Sequence, residues 1–145
     1  SLEGYGQMMQ LLEVFRLLSR TTEYELIEAR PVEAQDNFKE QQRLRQIHRH
    51  VEEHYRDFPD TRRAAAMVNL SMAAFCRYFK KATGYTYTDY VNKYRIDQAR
   101  KLLLMDRNVT ETCFDCGFEN LSHFNRTFKR FAGENPSAFR KNHRG

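Results

Sequence analysis

Glycine and proline are scarce in this chain, six and three among 145 residues. An all-β fold spends such residues on a turn every several positions, so the composition leans helical. Cysteine is scarce too. Cys76, Cys113 and Cys116 make an odd number in a chain with enough apolar residues for a core, which argues against a disulfide framework and for a reducing compartment. There is no run of about 18 apolar residues, so no membrane span is expected. No signal peptide is visible, and a cytoplasmic location is the expectation. Ser1 does not have to be a natural start, and the chain can be read as the tail of a longer protein. No phosphate loop, Ser/His/Asp arrangement or carboxylate pair stands out. Neither an enzyme nor a bound cofactor is expected.

What is present is aromatic and basic. The eleven Phe and eight Tyr must mostly lie inside, because little else here is large and apolar. Charge is uneven. Residues 1–40 carry four Lys/Arg against eight Asp/Glu, a net −4, and residues 41–145 carry twenty against eleven, a net +9. A basic region behind an acidic leader suggests a polyanionic partner for the later part. Charge alone does not separate nucleic acid from anionic lipid.

Apolar spacing places an amphipathic helix over Gln7–Arg20, with Met8, Leu11, Leu12, Phe15 and Leu18 on one face. Its polar face, with Gln10, Glu13 and Arg16, holds no basic cluster, which disfavours a membrane-surface helix. Glu23–Glu28 reads as a short helix and residues 29–40, with Pro31, as a linker. Gln41–Tyr55 reads as a helix with Leu44, Ile47, Val51 and Tyr55 on one face. Further helices are expected at Thr61–Val68, Met72–Ala82, Tyr87–Leu104, Thr110–Cys116, Leu121–Ala132 and Pro136–Lys141. For the long one, Tyr87, Tyr90, Val91, Tyr94, Ala99, Leu102 and Leu103 form the stripe, with Ile96 on its flank.

An internal repeat carries the functional reading. The segments from Ser71 and from Asn120 align without a gap, 49 positions apart. Phe75, Arg77, Phe79, Lys80 and Gly84 fall on Phe124, Arg126, Phe128, Lys129 and Gly133. Lys81 meets Arg130. Ser71 and Asn120 are N-cap types, and the glycines suit left-handed C-caps. Upstream lie the turns Val68-Asn69-Leu70 and Cys116-Gly117-Phe118, whose central residues tolerate positive φ. A helix, a tight turn and a basic-faced helix make a helix-turn-helix, here used twice.

The expected fold is therefore all-α, with two helix-turn-helix subdomains (about 61–83 and 109–132) joined by a long linker helix and preceded by an amphipathic helical segment. A reader helix puts the exposed positions of its first turns against base edges. In the first copy these are Ala73, Ala74, Cys76 and Arg77, and in the second Ser122, His123, Asn125 and Arg126. Lys80, Lys81, Lys129 and Arg130 suit phosphate contacts. A linker of about 17 residues spans about 26 Å, against about 34 Å between successive major grooves on one face of B-DNA. One chain should then read two neighbouring grooves of double-stranded DNA.

The stretch Arg95-Ile96, Ala99, Leu102-Leu103, Cys116-Gly117-Phe118, Asn120 to Arg126, Phe128-Lys129, Gly133, Pro136 and Phe139-Arg140 resembles the AraC family of bacterial transcription regulators. Asn69-Leu70-Ser71, Phe75, Arg77, Phe79-Lys80-Lys81 and Thr83-Gly84 extend the likeness, which covers about Gln41 to Lys141. It implies a two-lobed, seven-helix DNA-binding domain over 41–145, base contacts at Ala73, Cys76, Arg77, Ser122, Asn125 and Arg126, and RNA polymerase as a partner if the protein activates. Arg95 matches a family arginine that is often structural, and an ion-pair role is expected for it. Residues 1–28 resemble the helical end of a regulatory or dimerisation domain, which implies a possible homodimer through residues 4–28. The rest of such a domain is absent from this sequence.

Three further patterns compete. Cys113-Phe-Asp-Cys116 spells C-x-x-C, but a structural zinc needs four ligands and no second pair exists, so no metal is expected and buried packing is the simpler reading. His48, His50 and His54 share a helix and read as a solvated face. A non-specific or architectural nucleic-acid binder is the alternative function, and an enzyme using the C-x-x-C is a third.

Overall fold

The computed structural model describes residues 31–143, and among them there are seven helices and no strand. They are α1 (Pro31–His54), α2 (Thr61–Met67), α3 (Met72–Thr83), α4 (Tyr87–Leu104), α5 (Val109–Asp115), α6 (Leu121–Ala132) and α7 (Pro136–Asn142). The expected helices at 7–20 and 23–28, and with them the dimerisation segment, lie outside the described residues. The chain divides into two units, Ser1–Arg45 and Gln46–Gly145. In the first, the described residues 31–45 are all helical. None of the described helices is long and apolar enough to cross a membrane.

Residues 31–40, the described part of the expected linker, are helical and continue into the helix expected from Gln41. Proline is at home in the first turn of a helix, where its missing N–H would have had no partner. Glu33, Ala34, Gln35, Lys39 and Glu40 then favour helix, and no glycine or further proline interrupts it before its end at His54.

In the second unit each helix begins on a side chain that can accept from free amides. Asp60, Ser71, Thr86, Asn108, Asn120 and Asn135 each take one or two N–H groups of the first turn. Three helices end alike. Leu70 N donates to Ala65 O (3.0 Å), Phe118 N to Cys113 O (3.1 Å) and Arg107 N to Leu102 O (3.2 Å), each around a residue with positive φ: Asn69, Gly117 and Asp106. These six-to-one closures satisfy the last carbonyls and turn the chain sharply.

The two modules pack on opposite ends of α4. At its start, Phe75 and Phe79 stack at 5.4 Å and meet Tyr87 edge-on at 5.8 and 5.7 Å. Ile47, Val51, Ala64, Ala65, Val68 and Val91 are also buried. Towards its end, Ile96, Ala99 and Leu103 form one core with Cys113, Cys116, Phe118, Phe124, Phe128 and Phe139. Ile96 is thus central, not flanking, while Tyr90 and Tyr94 are only half-buried. A helix held on two sides has no single stripe, which is why periodicity misplaced Ile96.

Two buried polar residues of α4 had no signal in the apolar pattern. Asn92 is 8% exposed, and its side-chain oxygen has no hydrogen-bond partner among the described residues. Arg95 is 5% exposed and, contrary to the expected ion-pair role, has no ion-pair partner among the described residues. Its Nε donates to the carbonyl of Tyr55 (2.5 Å) and its Nη2 to that of Asp57 (2.7 Å), with the guanidinium over the Phe118 ring at 5.4 Å. The cation thereby satisfies carbonyls just beyond the end of α1, where the helix dipole favours positive charge. Burial pushes its pKa below the usual guanidinium value.

Candidate nucleic-acid interface

The exposed face of each reader helix follows from its buried one. In α3, Phe75 and Phe79 are 0% and 1% exposed, and i,i+4 spacing puts both on one side. Ala73, Cys76, Arg77, Lys80 and Lys81 are left exposed, while Ala74 is half-buried. In α6, Phe124 and Phe128 are fully buried, and Ser122, Asn125, Arg126, Lys129 and Arg130 are exposed. Both helices begin on the expected caps. Ser71 Oγ accepts from Ala74 N at 3.2 Å, and Asn120 Oδ1 from His123 N at 2.8 Å. Both end on glycine at positive φ, +80° at Gly84 and +82° at Gly133.

The modules differ by one residue ahead of the reader helix. Leu70 runs directly into Ser71, whereas Glu119 stands between Phe118 and Asn120. The first helices are therefore 48 positions apart and the readers 49, so the gapless repeat covers the reader and not the whole module.

Among the described residues, Arg77, Arg126 and Lys129 have no hydrogen-bond or ion-pair partner, so their donors face outward unengaged. Two expected contact residues are placed differently. His123 is half-buried, and its ring meets Phe118 edge-on at 5.3 Å. It packs the start of the reader helix as well as bordering its surface. Arg130 is not free. Its Nη1 and Nη2 donate to Asp89 Oδ1 and Oδ2, both at 3.0 Å. This bond holds the Asp89 carboxyl below the usual range and lifts the guanidinium. Asp89 was missed by sequence reasoning. Thr86-x-x-Asp89 is a capping pattern and explains its place at the start of α4, but the partner lies 41 residues on.

The competing patterns also find their places. Cys113 and Cys116 are buried in the second core, and burial raises both thiols, that of Cys116 to about 12. Cys76 is exposed. The histidines are not one solvated face. His48 Nδ1 lies 2.6 Å from the Tyr90 hydroxyl and its Nε2 2.9 Å from Glu52, and His50 is half-buried against His54 with ring centroids 4.6 Å apart. Among the described residues, no three His, Cys, Asp or Glu side chains are grouped so as to hold a metal ion.

A family profile described as a helix-turn-helix domain matches residues 64–142, more than half of the chain. The fold matches a probable AraC family transcriptional regulator from Rhodopseudomonas palustris CGA009, at a TM-score of 0.64 and 25% identity, over 72% of this chain and 99% of that one. The chain belongs to the AraC family of bacterial transcription regulators. The crystal structure of the DNA-binding domain of AdpA, a global transcriptional factor, in complex with a target DNA also matches, at a TM-score of 0.63 and 29% identity over 68% of this chain and 90% of that one. Among curated relatives, the HTH-type transcriptional activator RhaS of Klebsiella pneumoniae (strain 342) is 36% identical over 89 residues, covering 61% of this chain and 32% of that protein. RhaS of Enterobacter sp. (strain 638) is 32% identical over 100 residues, covering 68% and 36%. This AraC-family chain thus spans about a third of the length of the curated relatives it matches.

Proposed function

We propose that this chain is the DNA-reading part of a transcription regulator that inserts α3 and α6 into successive major grooves of one duplex. The observation that carries the reading is the duplication itself. Each reader buries an aromatic pair on α4 and presents an outward arginine six residues, nearly two turns, after its cap, and α4 has 18 residues, about 27 Å of helix. In this reading Ala73, Cys76, Arg77, Ser122, Asn125 and Arg126 face base edges, with His123 bordering them. Arg126 suits guanine and Asn125 suits adenine. Lys80, Lys81 and Lys129 neutralise phosphates, which adds affinity without sequence information. The protein has no catalytic role. It works in the cytoplasm, with RNA polymerase as partner where it activates. Residues 1–28 are the end of a regulatory domain that pairs two copies through residues 4–28, 29–40 link it, and 41–145 read DNA.

Selection of bound duplexes from a random pool, followed by two substitutions, tests the reading. Arg126→Ala weakens binding at the selected site by about 1–3 kcal/mol and relaxes preference at one base pair. Lys129→Ala weakens all sequences alike and lowers the salt slope by about 1. Equal affinity for selected and random duplexes would leave a non-specific binder instead.

A further inference from the structure

The second module is anchored well away from the first. Its core holds the later part of α4, at Ile96, Ala99 and Leu103. Yet the last turn of α6 reaches back to the beginning of α4, where Arg130 grips both oxygens of Asp89. Asp89 lies seven residues before Ile96, about 10 Å along the helix. The same place receives the end of α3. Lys80, in the last turn of that helix, acts electrostatically on Asp89. Tyr85, just after its C-cap, faces Phe131 with ring centroids 6.4 Å apart. Arg130 lies over Phe131 at 5.0 Å, and Lys93 over Tyr85 at 5.2 Å. The end of α6 and the residue just after the C-cap of α3 therefore come together beside the start of α4, where Asp89 holds Arg130.

We propose that Asp89 and Arg130 are positioning residues that fix the angle between α3 and α6, and so the spacing of the two base-pair segments the protein accepts. Arg130 then acts through Asp89 and not as a phosphate clamp. The inference rests on the reading that both helices engage one duplex. An exposed ion pair contributes little to folding, but a planar bidentate pair restricts orientation, and choosing between spacings needs only a few-fold bias. One extra base pair displaces the second subsite by about 3.4 Å along the duplex and rotates it by about a tenth of a turn.

The test has a DNA-free arm and a DNA arm, both on the full chain. Spin labels at Cys76 and at Ser122→Cys report the distance between the reader helices. One narrow distance is expected for the parent, broadened distributions for Asp89→Asn and for Arg130→Gln, and a narrow one again for the exchanged pair Asp89→Arg with Arg130→Asp. In the second arm, the selected duplex is lengthened or shortened by one base pair between its subsites. Each single variant is expected to lose about threefold of the parent's discrimination against the altered spacings, the size of effect an exposed ion pair supports, and the exchange is expected to restore it. A different pattern would identify a phosphate clamp and overturn the proposal: Asp89→Asn tightening every duplex and steepening the salt dependence while Arg130→Gln weakens every duplex. Unchanged distances and spacing preferences in both single variants would overturn it too. A pool that yields no preferred duplex would sink the functional reading, while the spin-label distances still decide the positioning role.

Discussion

A single methyl group at Gly117 separates two reasons for a glycine in the second helix-turn-helix. Its φ is +91°, and a Cβ there would lie 2.7 Å from Arg56 Cα, 2.8 Å from its carbonyl oxygen and 3.0 Å from its carbonyl carbon. All three are backbone atoms, and that backbone is held because Arg95 binds the carbonyls of Tyr55 and Asp57 on either side. Gly133 has a similar φ of +82°, but nothing lies within 4 Å of its would-be Cβ. Gly133→Ala therefore meets only the cost of a left-handed L-residue, about 1–2 kcal/mol. Gly117→Ala adds overpacking against immovable neighbours, about 1–3 kcal/mol more. Urea denaturation followed by helical circular dichroism measures both, with differences taken from midpoints at a common slope. In thermal melts, at roughly 4 °C per kcal/mol for a unit of this size, Gly117→Ala should fall clearly below Gly133→Ala. Equal destabilisation by the two would refute the close approach of the second module's turn to the chain after α1, and with it the role given to Arg95.

Thiol reactivity gives a second check. At about pH 8, a thiol reagent should modify Cys76 in the native chain and reach Cys113 and Cys116 only on unfolding, because burial raises both of those thiols. Rapid native reaction at all three would contradict the buried C-x-x-C. The pH dependence of stability gives a third. Burial first, and then the charge of His54, lower the His50 pKa from its ordinary value of 6.5. The unfolded chain then binds this proton more readily, so stability is lost as pH falls through 6.5 towards the folded value. The drop in urea midpoint between about pH 7 and pH 5 should shrink in His50→Asn, and an unchanged drop would contradict the assigned environment.

What was legible in the sequence was local. The bounds of α4 and α6 followed from cap residues, helical spacing and the glycines after α3 and α6, all of which act within a few residues. The buried aromatic pairs and the outward Arg77 and Arg126 followed from the repeat. What escaped depended on distant partners or on geometry that sequence reading weighs weakly. Pro31 reads as a breaker unless its place in the first turn is known. Asp106 ends α4 in a left-handed conformation without being a glycine, held by Arg140 Nε to its carboxylate and Nη2 to its carbonyl, both at 3.1 Å. Arg95 is expected to be structural through an ion pair, but its partners are backbone carbonyls about forty positions earlier, which carry no signal in the sequence. Arg130 aligns with Lys81 in the repeat, but among the described residues only Arg130 of the two pairs with a carboxylate, that of Asp89, which lies 41 positions earlier in the chain.

The central claim is that one chain places two reader helices in neighbouring major grooves of a single duplex. Methylation interference on a selected duplex, at a measured ratio of one chain per duplex, tests it most directly, since N7-methyl groups block the major groove at guanine. Two clusters of interfering guanines, about 10–10.5 base pairs apart on the same face, are the predicted result. One cluster alone, or two that arise only when a second chain binds, would contradict it.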